Sequence, residues 1–497
     1  MSATFTLPAR GSTPVLSLAK KISDDTDALL VAVFEGEEGL ELAATGLFDD
    51  EVEIAVWQQL AAVGATGAKE EITRVPGLKA TGVGTVVAVG LGDPDDLSDD
   101  RLRRAAGVAA RSLRGFNRVA TTIGAFGLRA AVEGVSLGAY DYRGLKTDEV
   151  PERKRTVGEV VFLGGDKKEF VAAQITAEAV ILARDLVNTP SSHLYPESYA
   201  EIAAKEAGEH GVKVEILDDK RLLKDGYGGI MAVGQGSTRK PRLLRLTWST
   251  RKASKSVALV GKGITFDTGG ISIKPSSNMD HMISDMGGSA AVIASVIAAA
   301  RLNLRVNVTA TVPLAENMPG GGAYRPGDVV THYGGTTSEI INTDAEGRMI
   351  LADAIARACE DDPDYLIETA TLTGAQLVAL GARTAGVMGS PEFRDRIAAH
   401  GRTVGEEAWA MPIPEDVADG MKSTVADLRN VNPSRNGGML GAAHYLSTFV
   451  TGGVEWAHID VAGPAFNTDE VWGCTPKRAT GVPVRTIVDA LTGIADE

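Results

Sequence analysis

Val257–Gly270 reads VALVGKGITFDTGG: a β-branched apolar run, a lysine, a second short apolar run, an aspartate and paired glycines. The first run, halted by glycine, predicts a buried strand over 257–260. Polar residues at such a strand end are informative, because sites in open α/β sheets collect outside the carboxyl ends of strands. The segment continues through Lys274 and NMDHMISDMGG (Asn278–Gly288) into a helical pattern over 288–300. Working outward, apolar runs at 213–217, 243–248, 306–312, 365–369 and 382–388 predict further strands. Helical patterns at 288–300 and 346–360 lie between several of them.

The same alternation precedes this section. Runs at 28–34, 85–90, 119–123 and 157–163 predict strands, and 50–63 and 98–113 carry helical periods, the second opened by Ser98. GGDKK (Gly164–Lys168) reads as a turn-like break, followed by an Ala-rich helix over 170–186. Strand–helix alternation on both sides argues two α/β domains. The expected division is 1–168, a connecting helix and linker over 169–189, and a larger domain over 190–497.

The chain has 497 residues, 44% of them hydrophobic and 23% charged, as in soluble globular proteins of more than one domain. Its net charge of −15 disfavours non-specific attraction to nucleic acid. Two distant cysteines, Cys359 and Cys474, exclude a disulfide framework and a four-thiolate zinc site. The opening MSATFTLPARGS has no apolar core of a secretory signal, and no apolar run is long enough to span a bilayer. A reducing, cytoplasmic setting is the expectation. Two basic clusters, Arg101, Arg103 and Arg104, and Arg153, Lys154 and Arg155 beside Glu152, read as solvated faces.

A second informative place is IINTDAEGR (Ile340–Arg348), which runs directly into a helix. The two places together hold Lys262, Asp267, Lys274, Asp285, Asp344, Glu346 and Arg348 among Gly, Ala and Thr. Taken alone, Asp344 and Glu346 read as a helix cap and dipole partner, and the lysines as surface charges. As a constellation in sequence that looks buried, the four carboxylates exceed the two lysines and one arginine, and a divalent cation is the natural complement. The seven histidines form no HExxH pair, so oxygen ligands would dominate, suiting Mn, Mg or Zn.

These segments resemble the leucyl aminopeptidase family, also called the cytosol aminopeptidases. NTDAEGR (Asn342–Arg348) resembles its signature heptapeptide, and VGKGITFDTGGISIKP (Val260–Pro275) is similarly close. So are NMDHMISDMGG, ENMP (Glu316–Pro319), RPGDV (Arg325–Val329), ATLTGA (Ala370–Ala375), ARDLVNTP (Ala183–Pro190) and ATGVPVRT (Ala479–Thr486). The resemblance runs from about Ala183 to the C-terminus.

The resemblance implies a macro-like N-terminal domain, a catalytic C-terminal domain with a central mixed sheet, and a homohexamer. It implies two divalent metals per subunit, Mn or Zn with Mg as an alternative. Asp267 and Glu346 match the bridging ligands, Asp344 a ligand of one metal, and Lys262 and Asp285 ligands of the other. Lys274 and Arg348 match the catalytic positions, the first for the oxyanion and the second for a bicarbonate base. Met282, Asn342, Thr371 and Leu372 match substrate-binding positions, with leucine and similar apolar residues preferred at the amino end of peptides. Gly320, Ser192 and Thr268 depart from the family's frequent residues, and none is a ligand or catalytic position.

Two rivals stand beside this reading. DTGG resembles the phosphate loop of sugar kinases and actin-like ATPases, but no convincing second loop and no GxxxxGK accompany it. GVGTVV (Gly82–Val87) lacks the third glycine of a dinucleotide fingerprint. Some bacterial members of the family also bind DNA as architectural proteins, against which the net charge argues mildly.

Overall fold

The β-branched runs become strands and the Ala-rich stretches between them become helices in a computed structural model that describes residues 5–43, 46, 48–434 and 436–497. The first four residues of the opening segment thus lie outside the described residues. Two units result, each with its own sheet.

The smaller unit comprises Ala9–Ile181 and Thr468–Lys477. Its strands are β1 (Val15–Ala19), β2 (Ala28–Gly36), β3 (Gly39–Leu42), β4 (Ile72–Pro76), β5 (Thr85–Gly90), β6 (Arg118–Thr121) and β7 (Glu159–Leu163). They lie in the order β1-β7-β6-β2-β5-β4, with β3 hairpinned onto β2. The interior pairings are parallel and β4 is antiparallel, a mixed sheet. Ser98 caps helix Asp99–Ser112, its Oγ accepting from Arg101 N at 3.3 Å, as its position predicts. That helix packs on Leu128–Ala139 through Gly107 and Gly138; a Cβ on Gly138 would lie 2.3 Å from Gly107 Cα.

The close packing corrects one expectation. Arg103 is not on a solvated face: it is 2% exposed and its Nε donates to Glu133 Oε2 at 2.7 Å. Small residues on both helices bring the backbones together and enclose the long side chain between them. The cluster at Glu152–Lys154 is exposed, as expected.

The division of the chain also differs from the expected one. Lys167–Asn188 is one 22-residue helix, and the two units divide within it, after Ile181. Thr468–Lys477 belongs with the smaller unit, where Gly473 O accepts from Arg111 Nη1 at 2.5 Å and Arg104 lies over Trp472 at 5.2 Å. No local signal in those ten residues marks this return.

The larger unit comprises Leu182–Asn467 and Arg478–Glu497, with residues 5–8. Its strands are β8 (Lys213–Leu217), β9 (Arg242–Trp248), β10 (Ser256–Gly261), β11 (Gly263–Asp267) and β12 (Asn307–Asn317). Then come β13 (Val329–Thr331), β14 (Thr337–Glu339), β15 (Tyr365–Ala370), β16 (Ala385–Gly389), β17 (Ala408–Ala410), β18 (Leu428–Arg429) and β19 (Glu455–Asp460). The main sheet runs β17-β16-β19-β15-β10-β12-β9-β8, with β11 beside β12. Strands β19, β15, β10, β12 and β11 are mutually parallel, while β9 runs against β12 and β8, and β16 against β19. β8 shares their direction, so six carboxyl ends open at one edge.

Helix Glu346–Cys359 packs on one face of this sheet, where Met349, Ile350, Leu351, Ala258, Val260 and Leu366 share a core. Each such fully buried large side chain contributes roughly 1.5–3 kcal/mol of transfer free energy. Helix Gly287–Arg301 is buried nearly throughout; against the expectation that no apolar run is long enough to span a bilayer, Met279–Arg301 is long and apolar enough to cross one, and 89% of its 18-residue apolar window is buried in the core.

Candidate metal centre and active site

The edge formed by parallel carboxyl ends carries the ionisable residues. Lys262 follows β10, Asp267 ends β11, Thr371 follows β15 and Asp460 ends β19. Asp285 stands between a short 3-10 turn, Met279–Ser284, and helix Gly287–Arg301. Glu346 opens the helix that packs beneath.

Lys262 Nζ lies 2.7 Å from Asp285 Oδ1, 2.9 Å from Glu346 Oε1 and 3.0 Å from Thr371 O. Lys274 Nζ lies 2.7 Å from Asp267 Oδ2 and 2.5 Å from Asp344 Oδ1. Oxygens of Asp267, Asp344 and Glu346 lie within 4.8 Å of one another. The structure also separates the cap reading of Asp344 from the site reading. The helix N-cap is Ala345, with no side-chain cap, and Asp344 pairs with Lys274 instead.

The electrostatics show an excess of carboxylate. Burial and repulsion from Glu346 and Asp285 push Asp267 well above the usual carboxylate range. Burial, with Glu346 adding, pushes Asp285 up to about 7 against the pull of Lys262. Asp344 is raised by burial and Glu346 despite Lys274. Only Glu346 is lowered: burial opposes it, but Lys262 and Lys274 outweigh that. Burial pulls the Lys262 ammonium down, and Asp285, Glu346 and Asp267 more than reverse this. Among the described residues, the buried oxygens Asp285 Oδ2 and Glu346 Oε2 have no hydrogen-bond partner. Such atoms are costly unless something else meets them, and a hard cation with oxygen ligands fits this donor set.

The other expected residues fall around this core. Arg348 is buried, its Nη1 donating to Asn430 O at 2.8 Å. Asn342 Oδ1 accepts from Asp344 N at 2.9 Å, so this side chain shapes the turn that presents Asp344. Thr371 Oγ1 donates to Asp285 Oδ1 at 2.8 Å, which ties it to the carboxylate cluster. Leu372 packs against the core, its N–H donating to Asp460 Oδ1 at 3.1 Å. Met282 is partly exposed on its turn, and its carbonyl accepts from Asp285 N at 3.2 Å. All eleven expected residues thus come from segments that meet at this edge.

Sequence reasoning gave no role to two asparagines. Asn430, after β18, accepts from Ile341 N at 2.8 Å and donates to Asn342 O at 2.7 Å, so it staples the heptapeptide as well as Arg348. Asn317, at the end of β12, contacts Asp267. Its only sequence signal was its place in ENMP after a long apolar strand.

Residues 181–488 match the family model described as "Cytosol aminopeptidase family, catalytic domain", and residues 30–149 the one described as its N-terminal domain. The chain belongs to the cytosol aminopeptidase family. Similar relatives include the "Probable cytosol aminopeptidase" of Corynebacterium diphtheriae, 63% identical over 100% of both chains. That of Rhodococcus jostii is 53% identical over 98% of each. Among solved structures, the bottromycin maturation enzyme BotP in complex with Mn superposes with a TM-score of 0.85 at 33% identity, covering 95% of this chain and 100% of that one. A mutant of tomato leucine aminopeptidase gives 0.84 at 30% identity, covering 98% and 99%. As a cytosol aminopeptidase the chain is a metal-dependent peptide hydrolase with an N-terminal and a catalytic α/β domain, in agreement with the expectation from its motifs.

Proposed function

We propose that this aminopeptidase removes leucine and similar apolar residues from the amino ends of peptides through a two-cation centre. The observation that carries the reading is the convergence of Lys262, Asp267, Asp285, Asp344 and Glu346, with the buried oxygens Asp285 Oδ2 and Glu346 Oε2 unpartnered among the described residues. Asp267 and Glu346 would be shared between the cations, Asp344 would belong to one, and Lys262 and Asp285 to the other. Divalent cations bound there, Mn or Zn or alternatively Mg, would supply Lewis-acid polarisation of the scissile carbonyl and a water of lowered pKa. Lys262 ligates only as the neutral amine, a form that an adjacent divalent charge favours.

The chain's own groups supply the rest. Lys274, partly exposed beside Asp267 and Asp344, is placed to donate to the oxyanion as the carbonyl becomes tetrahedral. Arg348, anchored on Asn430, would hold bicarbonate as the group that takes the proton of the attacking water. Met282, Asn342, Thr371 and Leu372 would line the place of the first residue, whose free amine is directed to the Asp285 side. A homohexamer in the cytoplasm completes the reading, on the family resemblance.

The deciding experiment is hydrolysis of leucyl-p-nitroanilide before chelation, after it, and after adding back Mn, Zn or Mg. Activity should vanish on chelation and return with at least one cation. Absence of activity in every state sinks the reading.

A further inference from the structure

Asn317 is fully buried, and its side chain joins the two segments that carry the carboxylates. Nδ2 donates to Asp267 Oδ1 at 2.7 Å and to Thr343 O at 3.0 Å. A carboxylate and a peptide carbonyl only accept, so the amide must face them with its nitrogen. The Asn317 backbone carbonyl in turn accepts from Thr268 N at 3.0 Å and Thr268 Oγ1 at 2.8 Å. One residue therefore grips the turn after β11 from both its main chain and its side chain.

The two oxygens of Asp267 are thereby made unequal. Oδ1 receives two fixed donors, Asn317 Nδ2 and Gly269 N at 2.8 Å. Oδ2 meets the ammonium of Lys274, on a flexible stem. The second Asn317 proton reaches the residue just before Asp344. Thr343 is itself tied across, its Oγ1 donating to Gly269 O at 2.6 Å and accepting from Ser272 N at 2.8 Å. Asn317 Oδ1 has no hydrogen-bond partner among the described residues, although it is buried. An amide kept at that cost is kept for its two donors.

We propose that Asn317 is a positioning residue of the metal centre: it immobilises Asp267 through Oδ1, leaves Oδ2 as the oxygen for a cation, and holds the Asp344–Glu346 segment at matching distance. This rests on the two-cation reading. Partners that orient ligating carboxylates typically change metal affinity by about 10–100-fold when removed.

The test uses the full-length protein, chelated, desalted and titrated with Mn2+ by calorimetry. Asn317→Leu keeps the volume and removes both donors. The expected result is an affinity for Mn2+ weaker by about 10-fold or more, with the thermal midpoint of the chelated protein lowered about as much as in Tyr324→Phe, since each variant takes a buried hydrogen bond from Thr343 O. Tyr324→Phe gauges a loss that is merely structural. It removes a 2.8 Å hydrogen bond to the same Thr343 carbonyl without touching Asp267, and should lower the midpoint while leaving Mn2+ affinity nearly unchanged. Should Asn317→Leu not fold, the less bulky Asn317→Ser carries the same expectation. Wild-type affinity in the folded variant overturns the inference, as does an equal loss in Tyr324→Phe. If the wild-type protein takes up no Mn2+, Zn2+ or Mg2+ at all, it is the two-cation reading that fails.

Discussion

The Lys262 ammonium lies 2.9 Å from Glu346 Oε1, joining the end of β10 to the first turn of the helix that packs beneath the sheet. This contact makes the heptapeptide dependent on a strand some eighty residues earlier. Glu346→Gln removes the charge at that junction. The variant should lose bound metal and activity together, measured by metal content after dialysis and by leucyl-p-nitroanilide hydrolysis. Retained activity would contradict the bridging role.

Lys274 predicts a different signature. Its ammonium is partly exposed, whereas Lys262 is enclosed by Asp285, Glu346 and Thr371. Lys274→Ala should keep the metal and lower kcat by about 100-fold or more, the loss expected when an oxyanion donor is removed. A normal kcat with depleted metal would assign Lys274 to metal retention instead.

Arg348 should carry a dependence on bicarbonate. Its Nη1 is occupied by Asn430 O, while Nε is buried without a hydrogen-bond partner among the described residues. Adding bicarbonate to degassed buffer should raise the wild-type rate and leave Arg348→Ala unaffected. Equal stimulation of both proteins removes the arginine from this role.

Below the site, His458 Nδ1 pairs with Glu368 Oε2 across β15 and β19, both side chains fully buried. His458→Leu leaves a buried carboxylate alone, which should cost about 3–5 kcal/mol and lower the thermal midpoint clearly. Replacing Glu368 by Leu as well should recover much of that loss, since no charge is then stranded. Additive losses in calorimetric scans would show that the pair acts otherwise.

Gly138 predicts a stability effect in the smaller unit. A side chain there meets the Gly107 backbone, so Gly138→Ala must push two helices apart, at a cost of about 1–3 kcal/mol. A thermal midpoint equal to that of the wild type would show that the helices yield freely.

Legibility in the sequence followed from where local chemistry is decisive. β10 appeared as a run over 257–260 and spans Ser256–Gly261, because an apolar run ended by glycine has few other readings. Helix Asp99–Ser112 was visible from Ser98 and its acidic first turn. β19 was not, since EWAHID places a histidine and two acids in a strand whose burial arises only from its neighbours. Arg103 looked solvated because nothing local announces Glu133 thirty residues later. Within the site, the charged residues stood out against Gly and Ala. Asn317 and Asn430 did not, since an asparagine near a strand end reads equally well as a turn residue.

The ten residues Thr468–Lys477 have a consequence for how the protein could be taken apart. The polypeptide passes between its two units at residues 8–9, 181–182, 467–468 and 477–478. A protease nicking the long helix after Ile181 would separate two fragments, and the C-terminal one would keep Thr468–Lys477, a piece of the smaller unit. Trimming a gene to begin at Leu182 would deprive that loop of the helix carrying Arg104 and Arg111, leaving Trp472 without its cationic cover. The smaller half behaves as an insertion laced into the larger one, and excising it cleanly takes more than one cut.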